Sequence, residues 1–343
     1  MSCFHFLSSS SINFKISSSS SSFIKRLSLN KSSGNLEILL PAKTLLFANH
    51  QIYTDWAFIW YFLHLAEVSN FIYIILKDSL KKIPILGYGM QNFEFIFLSR
   101  NWSTDKSIIS ESLSKIDANG RGKGDILGFK KDTLNNWPKG IDETKIWPYS
   151  LVLFPEGTNL SANTRSKTEI YAAKVGRPAF KHVLLPKITG LRFSLLKLKD
   201  SIDDILDLTI GYSGVNPDEY GQDIYRLEEI LLNGKNPETV SIHIDSLKID
   251  EIPIGKLEYE NPEEEAKDIK KFEDWVFERW SIKDQLMDNF YKTGEFEKSN
   301  NFKSFSSRLK FEPLEFFKIF VIPGLVYFIW RLILSRLLEK FLS

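Results

Sequence analysis

The stretch LLFANHQIYTDWAFIWYFLHLA, residues 45–66, decides the architecture. Its first four residues are a short apolar run, the pattern of a buried strand. Residues 56–66 (WAFIWYFLHLA) are apolar nearly all round, which predicts a helix that is buried or in contact with a membrane. A polar turn, Asn49-His50-Gln51-Ile52-Tyr53-Thr54-Asp55, joins the two. A strand that turns directly into a helix is the repeating unit of layered α/β proteins.

The alternation continues outward from this unit. Residues 71–76 (FIYIIL) and 93–98 (FEFIFL) are aromatic and β-branched, which predicts two strands. Ile108, Ile109, Leu113 and Ile116 have helical spacing over residues 104–116. Residues 118–150, with Gly120, Gly122, Gly124, Gly128 and Pro138, read as a loop. Short strands follow at 151–154, 183–185, 207–212 and 240–249. The expected fold class is therefore α/β, a mixed sheet layered with helices.

Both ends differ from this middle. Residues 1–35 hold Ser runs, the bases Lys15, Lys25, Arg26 and Lys31, and no acid. Such a composition predicts a disordered tail or an organelle-targeting segment. Residues 36–255 form the expected catalytic domain. Residues 256–310 read as a charged helical extension and link, with Glu263, Glu264 and Glu265 near the helix start and Ile269, Phe272, Val276, Trp280 and Leu286 on its apolar side. Residues 311–343 are the expected membrane segment. Within them, 316–334 (FFKIFVIPGLVYFIWRLIL) carry only Lys318 and Arg331 as charges, near the ends. About 20 apolar residues span a bilayer. Pro323 and Gly324 also allow a kinked or re-entrant course, and a buried core helix is the alternative.

Composition narrows the function classes. The net charge of +1 gives no electrostatic footprint for a nucleic-acid partner. A single cysteine, Cys3, excludes an intrachain disulfide and a thiolate metal cluster. Five scattered histidines without an H-E-x-x-H pattern predict no metal site. Gly211-Tyr212-Ser213-Gly214-Val215 lacks the final glycine of a serine-hydrolase elbow.

Four short constellations carry candidate chemistry. In the turn 49–55, His50 is suited to proton transfer near neutral pH and Asp55 to orienting it. Five residues on a helix stand about 140° apart, so the pair meets only if His50 lies in the turn and Asp55 in the first helical turn. By itself this motif also fits an ordinary core or surface histidine. Residues 154–158 (FPEGT) place Glu156, Gly157 and Thr158 at a strand's C-terminal edge, where open α/β sheets bind ligands. A plain turn with a solvated Glu156 is the alternative. Residues 95–100 (FIFLSR) deliver Arg100 to a strand end, as a phosphate grip or a surface ion pair. Residues 185–192 (LPKITGLR) bring Pro186 and the cations Lys187 and Arg192 to another strand exit.

Together the four blocks, in this order, resemble the glycerol-3-phosphate and 1-acylglycerol-3-phosphate acyltransferase superfamily. The strings NHQIYTDW, YIILKDSLKKIPILGYGMQ, FIFLSR, LFPEGTNLSANTR and HVLLPKITGLRF are most similar to its lysocardiolipin and lysophosphatidylinositol branch, in particular fungal members. The likeness runs from about residue 36 to the C-terminal apolar segment. It implies a glycerolipid acyltransferase fold and transfer of a fatty acyl group from acyl-CoA to the free hydroxyl of a lysophospholipid. It implies His50 as general base with Asp55 orienting it, and Arg100, Glu156, Gly157, Thr158, Pro186 and Lys187 around the substrate. The implied partners are acyl-CoA as co-substrate, a lysophospholipid and a bilayer, that of the endoplasmic reticulum, with no further cofactor. Family members usually carry membrane helices ahead of the first block, and residues 1–48 show no such span. A CoA-independent transacylase and an acyl-CoA hydrolase are the alternative activities.

Overall fold

Strand Lys43–Ala48 is buried at every position. Its side chains alternate, so Leu46 and Ala48 fall in one apolar cluster and Leu45 and Phe47 in another. That alternation sorts the whole molecule into two layers. The computed structural model describes residues 12–18, 20–29, 36–83, 86–99, 101–297 and 303–308, with single positions at 321, 325, 327, 330 and 331.

The strands are β1 (Asn13–Ser18), β2 (Leu27–Leu29), β3 (Leu36–Ile38), β4 (Lys43–Ala48), β5 (Ile72–Lys77), β6 (Ile96–Leu98), β7 (Tyr149–Leu153), β8 (Asp204–Tyr212), β9 (Thr239–Leu247) and β10 (Lys303–Arg308). The helices are α1 (Ser21–Ile24), α2 (Asp55–Leu65), α3 (Leu86–Asn92), α4 (Trp102–Gly120), α5 (Ala162–Lys174), α6 (Ile188–Leu198), α7 (Gly221–Ile224), α8 (Leu227–Asn233) and α9 (Pro262–Thr293). An eight-stranded sheet runs β10-β1-β9-β8-β4-β7-β5-β6. Its β4, β5, β6, β7 and β8 neighbours pair in parallel, whereas β8 with β9 and β1 with β10 are antiparallel. The sheet is thus mixed, as expected.

Helix α2 covers one face, burying Phe58, Ile59, Phe62 and Leu63. Helices α4, α6 and α9 cover the other. The amphipathic pattern of α9 places Phe272, Val276, Trp280, Leu286 and Met287 in that layer. Each such side chain contributes roughly 1.5–3 kcal/mol on burial. Asn261 caps α9 by accepting from the Glu263 N–H at 2.9 Å, and Gly294 ends it in the left-handed region.

Three expectations change here. Part of the Ser-rich stretch 1–35 is ordered: β1 lies between β9 and β10. Ile12, Phe14 and Ile16 alternate into the core, and Phe14 packs on Tyr61 with ring centroids 4.5 Å apart. The serines fill the other pleat face or bond the backbone, as Ser18 does to the Ile244 carbonyl at 2.6 Å. Residues 183–185 are buried but form no strand, for they have no ladder neighbour. Arg192 binds the Ile254 carbonyl at 2.9 Å and the Tyr259 hydroxyl at 3.0 Å, so it anchors a loop instead of facing a ligand. The membrane segment expected at 316–334 lies outside the described residues, except for exposed Val321, Leu325, Tyr327, Trp330 and Arg331. Among the described residues no helix is long and apolar enough to cross a membrane.

Candidate active site

The chain leaves β4 at its C-terminal end and must turn before α2 can start. Asn49 fixes that turn. Its side chain donates to the Ile210 carbonyl at 3.0 Å and accepts from the Ile210 N–H at 2.8 Å, mimicking a strand pairing with β8. His50 follows in the turn and Asp55 is the first helical residue, the arrangement that the five-residue spacing requires. His50 Nδ1 and Asp55 Oδ2 are 2.7 Å apart.

Asp55 is fully buried, so its oxygens need partners. Oδ2 also accepts from the Gln51 N–H at 2.7 Å and the Ile52 N–H at 3.2 Å. Oδ1 accepts from the Tyr212 hydroxyl at the end of β8. An acceptor carboxylate facing Nδ1 selects the tautomer with its proton there and leaves the Nε2 lone pair free. The His50 side chain keeps 18% of its surface exposed, and its ring stacks on Phe154 at 4.5 Å. The ring is held in orientation while its reactive edge meets solvent.

That edge opens on a cleft of about 560 Å³. One wall is apolar, built from Ile75, Leu76, Leu80, Ile83, Leu86 and Met90. The His50 end carries Phe154, Pro155, Gly157, Thr158, Pro186 and Lys187. Gly157 has φ 72°, a turn conformation that favours glycine, and its N–H closes the turn onto the Phe154 carbonyl at 2.9 Å. A Cβ there would stand 3.2 Å from Lys187 Nζ. The Lys187 N–H donates to the Pro155 carbonyl at 2.8 Å, so the FPEGT turn and the LPK segment are one unit.

The sequence-derived candidates therefore separate. His50, Gly157, Thr158, Pro186 and Lys187 converge on one cleft, with Asp55 directly behind His50. Glu156 does not line it; its side chain is buried on the far side of the turn. Arg100 lies outside the described residues. Its neighbour Ser99 is fixed to Asp105 by N–H and hydroxyl bonds of 2.9 and 2.8 Å, and Leu98 lines the cleft. Tyr212, the partner of Asp55, is a functional residue that no sequence pattern singles out. Its only signal is its place at the end of an apolar strand, as for His50 and Glu156.

The structure thus sets a histidine, its Nδ1 facing a buried carboxylate, in the lining of a mostly apolar cleft at the sheet's C-terminal edge. The family described as Acyltransferase matches residues 33–212, and the one described as Acyltransferase C-terminus matches residues 230–316. The chain belongs to this acyltransferase family, within the lysophospholipid acyltransferase superfamily, and is an enzyme of the glycerol-3-phosphate acyltransferase type. It is 45% identical over 301 residues to the 2-acyl-1-lysophosphatidylinositol acyltransferase of Saccharomyces cerevisiae, covering 85% of this chain and 72% of that one. It is 30% identical over 255 residues to lysocardiolipin acyltransferase 1 of Gallus gallus, covering 74% and 55%. It is 29% identical over 267 residues to the probable 1-acyl-sn-glycerol-3-phosphate acyltransferase 5 of Arabidopsis thaliana, covering 78% and 58%. The chain thus spans little more than half the length of the latter two relatives.

Proposed function

We propose that this acyltransferase moves a fatty acyl group from acyl-CoA to the free hydroxyl of a lysophospholipid at a bilayer surface, that of the endoplasmic reticulum. The observation that carries the reading is the His50–Asp55 pair at the end of the apolar cleft. His50 Nε2 takes the hydroxyl proton as that oxygen attacks the thioester carbonyl. The carbon–oxygen bond forms, the carbon–sulfur bond breaks, and the imidazolium returns the proton to the departing thiolate. Asp55 stabilises the imidazolium throughout. No covalent acyl-enzyme is required, and Cys3 takes no part. The apolar wall takes the acyl chain. Lys187, in the cleft lining, takes the acceptor's phosphate, a role that the block resemblance also gives Arg100, with Gly157, Thr158 and Pro186 shaping the site.

Helix α5 supports the bilayer part of the reading. Of its residues only Ala172 is buried, while Ile170 and Tyr171 are exposed. Tyr171 lines the cleft, so an apolar rim among the bases Arg165, Lys167 and Lys174 borders it. Aromatic and basic side chains suit the headgroup region. The test is a panel of lysolipids and acyl-CoAs on detergent-solubilised enzyme, reading free CoA thiol and acylated product. Thiol release that depends on lysolipid is expected. Equal release without lysolipid identifies a hydrolase, and product without acyl-CoA identifies a transacylase.

A further inference from the structure

The family blocks bring Glu156 to the site, yet it turns its back on the cleft. Pro155 and Gly157 on either side line that cleft, whereas Glu156 is 2% exposed and does not. Its surroundings come from three distant segments. Trp280 of α9 donates its indole N–H to Oε1 at 3.3 Å. The backbone N–H groups of Leu184 and His50 face the carboxyl. Oε2 has no hydrogen-bond partner among the described residues. Burial pushes the Glu156 pKa well above the ordinary carboxylic range, and the nearby Asp55 charge adds to it, against the pull of those three donors. A neutral carboxyl tolerates an unpartnered buried oxygen far better than a carboxylate does.

Helix α9 touches the His50 turn a second time. The Tyr291 hydroxyl donates to Gln51 Oε1 at 3.3 Å, and Gln51 Nε2 donates to the His182 carbonyl at 3.0 Å. Gln51 is itself buried, and its backbone N–H is one of the donors to Asp55. Trp280 and Tyr291 stand eleven residues apart, about three turns of α9, and so on one face. Trp280 also stacks on Phe47 of β4, ring centroids 5.8 Å apart, three residues before His50.

We propose that Glu156 is a positioning residue that never touches substrate: it supports the His50 turn from behind, and the Trp280–Tyr291 face of α9 is the wall that holds both in place. The inference rests on the reading of His50 as the base. It gives the C-terminal part of the chain a place in the catalytic centre, although that part contributes no reacting group.

The test separates support from contact through kinetic constants. Glu156→Ala removes the support; a displacement of about 1 Å in a catalytic group costs on the order of 10²-fold. The loss is expected in kcat, with both KM values within about twofold of wild type. Glu156→Gln keeps the shape and a neutral polar group, and is expected to restore kcat to within about threefold of wild type. Trp280→Phe and Tyr291→Phe each remove one donor and are expected to lower kcat by roughly two- to tenfold, again at constant KM. Both pH limbs of kcat should survive in Glu156→Gln. If Glu156→Ala does not fold, the Gln and Phe variants carry the test. A Glu156→Gln enzyme whose lysolipid KM rises tenfold, or one as inactive as a folded Glu156→Ala, overturns the proposal. His50→Ala run alongside keeps the two readings apart. An active His50→Ala sinks the base assignment, whereas an inactive one beside a raised KM in Glu156→Gln sinks only the positioning role.

Discussion

Strand β8 serves two buried polar clusters that look alike by charge and burial and differ in what they do. At its C-terminal end, Tyr212 supports Asp55 and through it His50. Five residues earlier, Asp207 binds Lys283 and Arg279 of α9, and Arg279 also binds Asp245 of β9. Lys283 is 1% exposed and donates to the Leu208 carbonyl as well. The second cluster pairs two cations with two carboxylates, and none of the four lines the cleft at His50. The first leaves the free edge of one imidazole facing a cavity. Buried charge therefore does not mark the active site here. An unfilled bonding position that opens on a cavity does.

The largest expected effect tests the first cluster. His50→Ala should lower acyl transfer by roughly 10²- to 10⁴-fold, the usual worth of a general base. Its melting temperature should stay within a few degrees of wild type, because the ring is partly exposed and the turn is held by Asn49. Comparable activity in folded His50→Ala would erase the distinction drawn between the clusters.

The second cluster should answer in stability. Lys283→Met removes one partner of a buried pair, at a cost of roughly 3–5 kcal/mol. Burial already draws the Lys283 ammonium below the ordinary lysine range, against the pull of Asp207. The folded fraction of this variant should keep near-normal KM values. Denaturant melts with activity normalised to folded protein measure both. A variant of normal stability and lost activity would move Lys283 into the catalytic machinery.

Tyr212→Phe probes the strand that the clusters share. It removes one hydrogen bond to a charged group, worth about 1.5–3 kcal/mol, and keeps the ring. About a tenfold loss in kcat is expected, together with a fall of a few degrees in melting temperature. If stability falls and kcat does not, Tyr212 belongs with the structural cluster.

These contacts show where sequence reading stops. The β4–turn–α2 unit was legible because apolar runs and their lengths report local structure, and His50 and Asp55 followed from it. Gly157, Thr158, Pro186 and Lys187 stood out as strand-exit residues, given roles by the block resemblance, and they gather at the cleft. Phe14 and Ile16 were hidden by a Ser-rich composition that outweighs a two-residue alternation. The run at 183–185 has a strand's composition, but a strand also needs a neighbour's edge, which no local pattern reports. Tyr212 and Asp55 are separated by 157 positions, and Trp280 and Glu156 by 124. Nor does a turn sequence say which way Glu156 points. Only the packed sheet does.

The smallest expected effect concerns the pH dependence of stability, and it asks whether Glu156 belongs to the buried, neutral side of the comparison. The ordinary glutamic value is 4.5, and in the folded protein burial moves it well above that. Between the two values the unfolded chain has lost the proton and the folded chain keeps it. Folding then takes up a proton, so this group's contribution is fully present below 4.5 and is lost as pH rises through the folded value. The slope cannot exceed about 1.4 kcal/mol per pH unit for one group. Glu156→Gln has no such proton. Its stability relative to wild type should therefore rise with pH, while Lys283→Met should keep the Glu156 slope of wild type. Urea midpoints in detergent at several values from about pH 5 to about pH 8 give the difference curve. A flat difference for Glu156→Gln would mean that Glu156 ionises as a hydrated carboxylate does. It would then have to reach water through the cleft, and the boundary between supporting and substrate-facing residues would have to be redrawn on the other side of Glu156.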